Sequence, residues 1–192
     1  MEFGDLRASI GAPCLYCSQA ASKTGLLATP GPEAFRREDD VDRIIHQSAH
    51  LRCDVHRAFE LFTVNEDVQS WLAPLADIEL HEGGKYELFW DLENREENST
   101  LGCKVTAIEG DRFLSFEWRG PTQYLHFMND ADPLTHVVVF FIPGSDGSAP
   151  RTEVHLVHTG WRSSREWEEA RQWFVEAWRV AFEELERQAS AT

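Results

Sequence analysis

The sequence predicts an α+β fold in which an antiparallel sheet wraps around one long C-terminal helix. The first observation is that, at about 100° per residue, the apolar residues near the C-terminus fall on one side of a helix. That stripe comprises Trp167, Ala170, Phe174, Ala177, Trp178, Ala181, Phe182 and Leu185. The second is a series of short segments with alternating apolar and polar residues, joined by turn sequences. The third is that helical segments occur at only two places, which favours hairpin-linked strands over a parallel sheet.

Local sequence signals predict each strand and helix. Strands are predicted at residues 43–52, 78–81, 84–90, 100–108, 113–119, 135–142 and 152–159. Asp54 is a suitable N-cap for a first short helix, and Thr63 with Glu66 forms a capping box for a second, which ends before Pro74. Ser163 with Glu166 forms the capping box of the final helix. A helix with so much aromatic surface needs a concave partner, which the strands supply.

Alternation within the strands predicts one apolar, aromatic sheet face that contacts the final helix. The inward residues are Tyr86, Leu88, Trp90, Leu114, Phe116, Trp118, Val154, Leu156 and His158. The segment 135–142 is different, because it is apolar on both faces. A strand of that kind is usually covered on its outer side as well, here by a partner subunit or by the N-terminal extension.

The composition argues against several classes of function. The formal net charge of −15 argues against nucleic acid and anionic membrane surfaces, which require basic patches. No apolar run approaches the roughly 20 residues of a membrane span, and no secretory signal begins the chain, so we expect a cytoplasmic protein. Residues 1–40 are predicted to be a flexible N-terminal extension and residues 41–192 a single domain. Cys14 and Cys17 are interpreted as incidental thiols.

No metal site, cofactor site or hydrolase motif is predicted. His155 and His158 lie on opposite faces of one strand, and His46 and His50 share a face without a cysteine or carboxylate to complete a set. The chain has no G-x-S-x-G sequence to support a Ser-His-Asp hydrolase.

The order of the motifs resembles a known family. A capped short helix ending in Trp71 is followed by Gly83-Gly84-Lys85-Tyr86, the segments 114–118 and 154–160, and the closing helix. Together they resemble the activator-of-heat-shock-ATPase homologue-like branch of the START-like (SRPBCC) superfamily, over residues 43–189. The resemblance implies a helix-grip fold with a cavity between the curved sheet and the C-terminal helix. It also implies binding of a small hydrophobic molecule there, while the eponymous co-chaperones bind the ninety-kilodalton heat-shock chaperone.

The candidate ligand contacts fall into walls and polar groups. Tyr86, Trp90 and Trp118 are expected to line the cavity because of the resemblance, since core aromatics would look the same in sequence, and Tyr86 is also expected to be a polar contact beside His158 and Arg171. Tyr124 lies in the loop 120–134, whose apolar residues suit either a lid or folding onto the core. Trp167 is expected near the cavity mouth.

His158 follows two inward apolar positions and is either a ligand contact or a neutral core histidine. Arg171 sits only about 40° from the centre of the helix stripe. Its guanidinium would either pair with an acidic ligand or reach water with its stem packed on the sheet edge.

Three hypotheses for function follow. The favoured one is binding of a small, mostly hydrophobic ligand with no catalytic motif. The alternatives are a cyclase- or hydrolase-like enzyme using His158 as general base, with Tyr86 or Tyr124 orienting the substrate, and a co-chaperone that binds a heat-shock ATPase. Trp173 and Val180 form a secondary strip that suits either a homodimer contact or packing under Trp71 and the short helices.

Overall fold

A five-stranded antiparallel sheet and a 26-residue helix frame the part of the chain that the structure, a computed structural model, describes: residues 43–190. The predicted flexible extension of residues 1–40, with Cys14 and Cys17, lies outside the described residues. No helix within residues 43–190 is long and apolar enough to cross a bilayer. The predicted helix-grip architecture is confirmed.

The elements follow one another as short helices, hairpins and a closing helix. In chain order they are β1 Ile45–Leu51, α1 Val55–Thr63, α2 Asn65–Gln69, β2 Leu75–Ile78, β3 Tyr86–Phe89, β4 Val105–Glu109, β5 Phe113–Trp118, α3 Leu125–Met128, β6 Thr135–Asp146, β7 Ala149–Thr159 and α4 Arg165–Ser190. The large sheet has the order β1-β7-β6-β5-β4, and β2 pairs with β3 in a separate two-stranded sheet. The two short helices therefore follow the first strand, as predicted.

Helix capping is partly as predicted. The Asp54 carboxylate accepts a hydrogen bond from the Arg57 backbone N–H at 2.9 Å and caps α1. Both predicted capping boxes are wrong. Thr63 is the last residue of α1, and its hydroxyl donates back to the Phe59 carbonyl at 2.9 Å. At α4 it is Ser164, not Ser163, whose hydroxyl accepts from the Trp167 backbone N–H, at 3.3 Å.

Two strand predictions were misplaced along the chain. The segment 78–81 is not a strand; β2 ends at Ile78, and residues 79–84 turn, with His81 N–H donating to Glu79 O at 2.8 Å and Gly84 N–H to His81 O at 2.9 Å. Residues 100–103 also form a turn, closed by Cys103 N–H to Thr100 O at 2.9 Å; Lys104 forms an isolated bridge with Lys85, and β4 begins at Val105. The backbone of this turn is also paired with β3, since Thr100 N–H donates to Leu88 O and Tyr86 N–H to Cys103 O, both at 2.9 Å.

The core lies between the inner sheet face and α4. The predicted stripe of α4 is buried at Trp167, Ala170, Phe174, Trp178, Phe182 and Leu185. Facing it, β5 and β7 bury Leu114, Phe116, Val154 and Leu156. At about 25 cal/mol per Å² of apolar surface, this contact is the main source of stability for the fold.

The outer face of β6 is apolar, and part of it is open. Phe140 and Ile142 are 43% and 47% exposed, while Val137, Val139 and Phe141 on the opposite face are buried. Their neighbours across the strands extend the apolar surface, which we call the outer patch: Phe113, Val138, Phe140, Ile142 and Val157. The expectation that a partner subunit or the N-terminal extension covers this face stays a prediction.

Candidate functional site

His158 is the most constrained polar residue of the interior. Alternation along β7 turns it toward α4, where it is fully buried. Its Nδ1 accepts a hydrogen bond from the indole Nε1–H of Trp178 at 3.2 Å, so the ring proton must be on Nε2. Burial, with a smaller contribution from His136, lowers the pKa of His158 to about 3. The side chain is therefore a neutral donor at pH 7.

A second buried donor lies beside it. Trp118, the last residue of β5, has its ring centre 6.2 Å from that of His158 and 4.9 Å from that of Trp178. Neither the indole Nε1 of Trp118 nor Nε2 of His158 has a hydrogen-bond partner among the described residues. Because buried polar groups are nearly always paired, these two N–H groups in neighbouring rings can each donate to an acceptor that the described protein does not supply.

Two further predicted wall residues surround this pair. Trp90 lies with its ring centre 5.9 Å from Trp118, and its indole N–H donates to the Leu72 carbonyl at 2.8 Å. Tyr86 stacks at 3.8 Å on Phe116, which in turn lies 5.9 Å from Trp118.

The Tyr86 hydroxyl already donates to the Phe62 carbonyl at 3.0 Å, and complete burial raises the pKa of the phenol. Tyr86 thus presents its ring, not a free hydroxyl, to the interior.

The loop after β5 closes the N-terminal end of α4. Residues 122–128, a 3₁₀ turn followed by α3, form what we call the cover segment. Phe127 from this segment lies with its ring centre 5.0 Å from Trp167 and 6.0 Å from Tyr124. Desolvation raises the pKa of the half-buried Tyr124. Tyr124 and Trp167 are therefore brought together at one rim of the sheet and helix, and the cavity mouth expected there stays a prediction.

Trp161 links the rim to the interior, and the sequence analysis did not single it out. Its ring centre lies 6.3 Å from Trp167 and 4.5 Å from His158, and its indole N–H donates to the His158 carbonyl at 3.0 Å. The signal available was its position immediately after Gly160, whose φ of +88° turns the chain out of β7 and back over the sheet end. A run of aromatic rings thus leads from the cover segment to His158.

Arg171 lies at the rim, where it forms an ion pair with Glu168. Its side chain is 16% exposed, and its Nε and Nη2 donate to both carboxylate oxygens of Glu168 at 2.9 and 2.6 Å. Hydrogen bonds from Arg171 and Gln172 lower the pKa of Glu168 to about 2. Trp173, on the secondary strip, is half-buried and lies 6.1 Å from the Tyr124 ring. Its contact is therefore with the cover segment.

The polar groups of the interior are suited to donate hydrogen bonds to a ligand. His158 has its Nδ1 lone pair occupied and its Nε2 protonated, which is the opposite of what a general base needs. Within residues 43–190, no group of three or more His, Cys, Asp or Glu side chains is arranged to hold a metal.

Two open grooves, of about 510 and 430 Å³, lie on the C-terminal end of α4 and on the outer patch. Neither reaches the aromatic interior.

Solved structures share this architecture. A protein of Mesorhizobium loti superposes with a TM-score of 0.62 and 20% identity, covering 78% of this chain and 98% of that one. An HSP90 activator of Plasmodium falciparum gives 0.50 and 16%, over 71% and 88% of the two chains. An Aha1 dimer of Colwellia psychrerythraea gives 0.50 and 13%, over 74% and 92%. At these identities the likeness establishes the fold.

The sequence itself establishes the family. A search of curated proteins finds no match. A profile of the family described as Activator of Hsp90 ATPase homolog 1-like protein matches residues 52–189, which run from just after β1 to the last turn of α4. The chain therefore belongs to the Activator of Hsp90 ATPase homolog 1-like family.

Proposed function

We propose that the protein binds a small, mostly apolar molecule in the interior between the sheet and α4, through one hydrogen-bond acceptor on the ligand. The observation that carries the proposal is the pair of buried, unpaired N–H groups of Trp118 and His158. A buried donor without a partner costs about 1–3 kcal/mol. An acceptor oxygen that both N–H groups can reach would remove both penalties, so we expect the ligand to carry such an oxygen.

The ligand is expected to be neutral. The buried polar residues of the described chain include no Lys or Arg, and His158 is uncharged at pH 7. An unpaired carboxylate in these surroundings would cost far more than the two hydrogen bonds return. A carbonyl on an aromatic or aliphatic body fits better. Arg171 then acts at the rim, where an acidic ligand would have to displace Glu168 from its guanidinium.

Access requires movement of the cover segment. Rings fill the path from Phe127 through Trp167 and Trp161 to His158, with centre-to-centre distances of 5.0, 6.3 and 4.5 Å. The cover segment is short, and its turn contains no buried residue. It is therefore the part most easily displaced, and Tyr124, Trp167 and Arg171 are proposed to border the opening.

A matched set of three probes tests the proposal. Benzophenone carries the acceptor, diphenylmethane lacks it, and diphenylacetate replaces it with a charge. We expect benzophenone to bind at least tenfold more tightly than either of the others, as measured by quenching of tryptophan fluorescence. Native mass spectrometry of the freshly purified chain is expected to show a retained neutral molecule. Equal affinity for all three probes, or no binding of any, would contradict the proposal.

Two tryptophan variants test whether the ligand's oxygen accepts a hydrogen bond from Trp118. Trp118→Phe keeps a ring and removes one donor, so it is expected to lower the preference for benzophenone over diphenylmethane by about fivefold, or 1 kcal/mol. Trp71→Phe is the matched control, because the Trp71 indole N–H already donates to the Leu61 carbonyl at 2.7 Å and serves no ligand. The control is expected to change stability but not the ratio of the two affinities.

The outer patch supports a second candidate function, docking onto a protein. Phe140 and Ile142 are exposed, and the 430 Å³ groove beside them also contains Glu109, Arg112 and His155. An exposed apolar surface with a charged rim is typical of interaction sites. By analogy with the HSP90 activator of Plasmodium falciparum, the occupant would be an ATPase of that chaperone class.

A coupled ATPase assay tests this second function. Phe140→Asp is expected to abolish any stimulation of an Hsp90-class ATPase by the full chain, whereas Val175→Asp, at an exposed position on α4, is expected to leave it unchanged. Equal stimulation by both variants would remove the outer patch from the interaction. Sedimentation velocity of the same variants reports whether a second copy of the chain occupies the patch instead.

A further inference from the structure

A histidine pair crosses two strands on the outer sheet face. His46 on β1 and His155 on β7 occupy diagonal positions of the ladder, since His46 pairs with Val157 and Ser48 with His155. The distance from His46 Nε2 to His155 Nδ1 is 3.0 Å, and the ring planes differ by 9°. Both side chains face away from the core, and that of His155 is 25% exposed. The pair is independent of the interior site.

A carboxylate fixes the proton positions in this pair. Glu153, two residues before His155 on the same face, places Oε1 3.2 Å from His155 Nε2. The Nε2 proton of His155 therefore points at Glu153, and its Nδ1 lone pair accepts from the Nε2–H of His46. A carboxylate that orients an imidazole from the far side is the usual outer-shell partner of a metal-binding histidine.

We propose that His46 Nε2 and His155 Nδ1 chelate one Cu²⁺ ion, with Glu153 as the positioning residue and water in the remaining positions. Two imidazole nitrogens on neighbouring strands, 3.0 Å apart before the rings rotate, can occupy adjacent positions of a square-planar or tetragonal site, the geometry that Cu²⁺ prefers. Copper also heads the affinity order for divalent ions at nitrogen ligands.

Binding requires only local changes. A rotation of each ring about its Cβ–Cγ bond turns the two nitrogens from each other toward a common point above the sheet. His46 moves its proton from Nε2 to Nδ1 through water, so a neutral pair loses no net proton. Within β1 itself, His46 and His50 share a face without a cysteine or carboxylate to complete a set. The missing partners lie on the neighbouring strand, more than 100 residues away in sequence.

The test is a Cu²⁺ titration of the full chain carrying Cys14→Ser, Cys17→Ser and Cys53→Ser, which leaves only the buried thiol of Cys103. We expect one Cu²⁺ per chain and an electron paramagnetic resonance spectrum with hyperfine splitting from two nitrogens. His46→Ala and His155→Ala are each expected to weaken binding at least tenfold and to leave a single-nitrogen pattern. Glu153→Gln is expected to weaken binding severalfold and to retain two nitrogens.

The control is His81→Ala, which removes an exposed histidine from the turn between β2 and β3, outside the five-stranded sheet. It is expected to leave both affinity and spectrum unchanged. An unchanged two-nitrogen spectrum in the double variant His46→Ala/His155→Ala would overturn the proposal. So would failure of the starting protein to bind Cu²⁺ more tightly than that double variant.

Discussion

Trp178 on α4 donates its indole N–H to Nδ1 of His158 on β7 over 3.2 Å. This contact joins the long helix to the centre of the sheet, and it also decides the chemistry of the interior. Because Nδ1 is an acceptor, His158 offers only an N–H to a ligand. The helix therefore turns the one buried histidine of the described chain from a possible base into a donor.

The buried neutral state of His158 predicts a pH dependence of stability. Between pH 6.5 and about 3, the unfolded chain binds a proton at this side chain and the folded chain does not. The stabilising contribution of neutral His158 is therefore complete above pH 6.5 and falls by about 1.4 kcal/mol per pH unit as the pH drops through that window.

Urea unfolding at pH 7, 6 and 5 measures the effect. His158→Phe is expected to be less stable at pH 7, since it leaves the Trp178 N–H without an acceptor. Its free energy of unfolding is expected to decline less steeply below pH 6. Parallel curves for the two proteins would show that His158 is protonated in the folded state.

Tyr86→Phe separates a structural hydroxyl from a ligand contact. Its hydroxyl donates to the Phe62 carbonyl at 3.0 Å inside the core, so removal is expected to cost about 1–2 kcal/mol in the free energy of unfolding. Benzophenone affinity is expected to change less than twofold, because the hydroxyl is already engaged. A loss of affinity without a loss of stability would assign the hydroxyl to the ligand instead.

Gly84 lies so close to two backbone carbonyl oxygens that a residue with a Cβ does not fit at this position. A Cβ there would lie 2.2 Å from the Glu79 carbonyl oxygen and 2.9 Å from that of His81. Neither oxygen can retreat without breaking the turn that aligns β3, so Gly84→Ala is expected to destabilise the fold by more than about 2 kcal/mol. At Gly110 a Cβ meets nothing within 4 Å, and Gly110→Ala is expected to change the free energy of unfolding by less than about 0.5 kcal/mol.

The fold was predictable because its signals are periodic. The stripe of α4 and the alternation of β5 and β7 each repeat over several residues, and together they place the helix on the sheet. The Thr63–Glu66 and Ser163–Glu166 capping boxes failed because neighbouring residues offered better hydrogen bonds: the Phe59 carbonyl for Thr63, and the Ser164 hydroxyl for the start of α4. Such local competition is invisible to pattern reasoning.

The candidate site was predictable only in its residue types. Alternation identifies Trp118 and His158 as inward, but nothing in the sequence reveals that the Trp178 indole occupies Nδ1 or that both remaining N–H groups lack partners. Arg171 lies on α4 with only 16% of its side chain exposed. Its pairing with Glu168 depends on rotamers, as an i,i+3 pair on a helix has several alternatives. The His46–His155 pair depends on strand register, which single-strand alternation does not supply.

The cover segment is held by a small clamp, and this clamp gives the last prediction. Gly120 N–H donates to Asn129 Oδ1 at 2.7 Å, and Asn129 Nδ2 donates to the Gly120 carbonyl at 3.3 Å. A Cβ at Gly120 would lie 2.7 Å from Met128 Sδ and 3.0 Å from Met128 Cβ. The sulfur can move away, but the Cβ contact pushes on the backbone of α3. Gly120→Ala is therefore expected to loosen the cover segment while leaving the sheet intact.

Hydrogen exchange and binding kinetics measure that loosening together. In Gly120→Ala the amides of residues 122–129 are expected to exchange at least tenfold faster, and benzophenone to associate faster, because opening of the segment precedes binding. Gly144→Ala is the matched control, since its Cβ would meet only the Arg151 carbonyl at 3.8 Å, far from the segment. Faster exchange with unchanged association would mean that a ligand reaches His158 by another path, and the opening at Tyr124 and Trp167 would have to be abandoned.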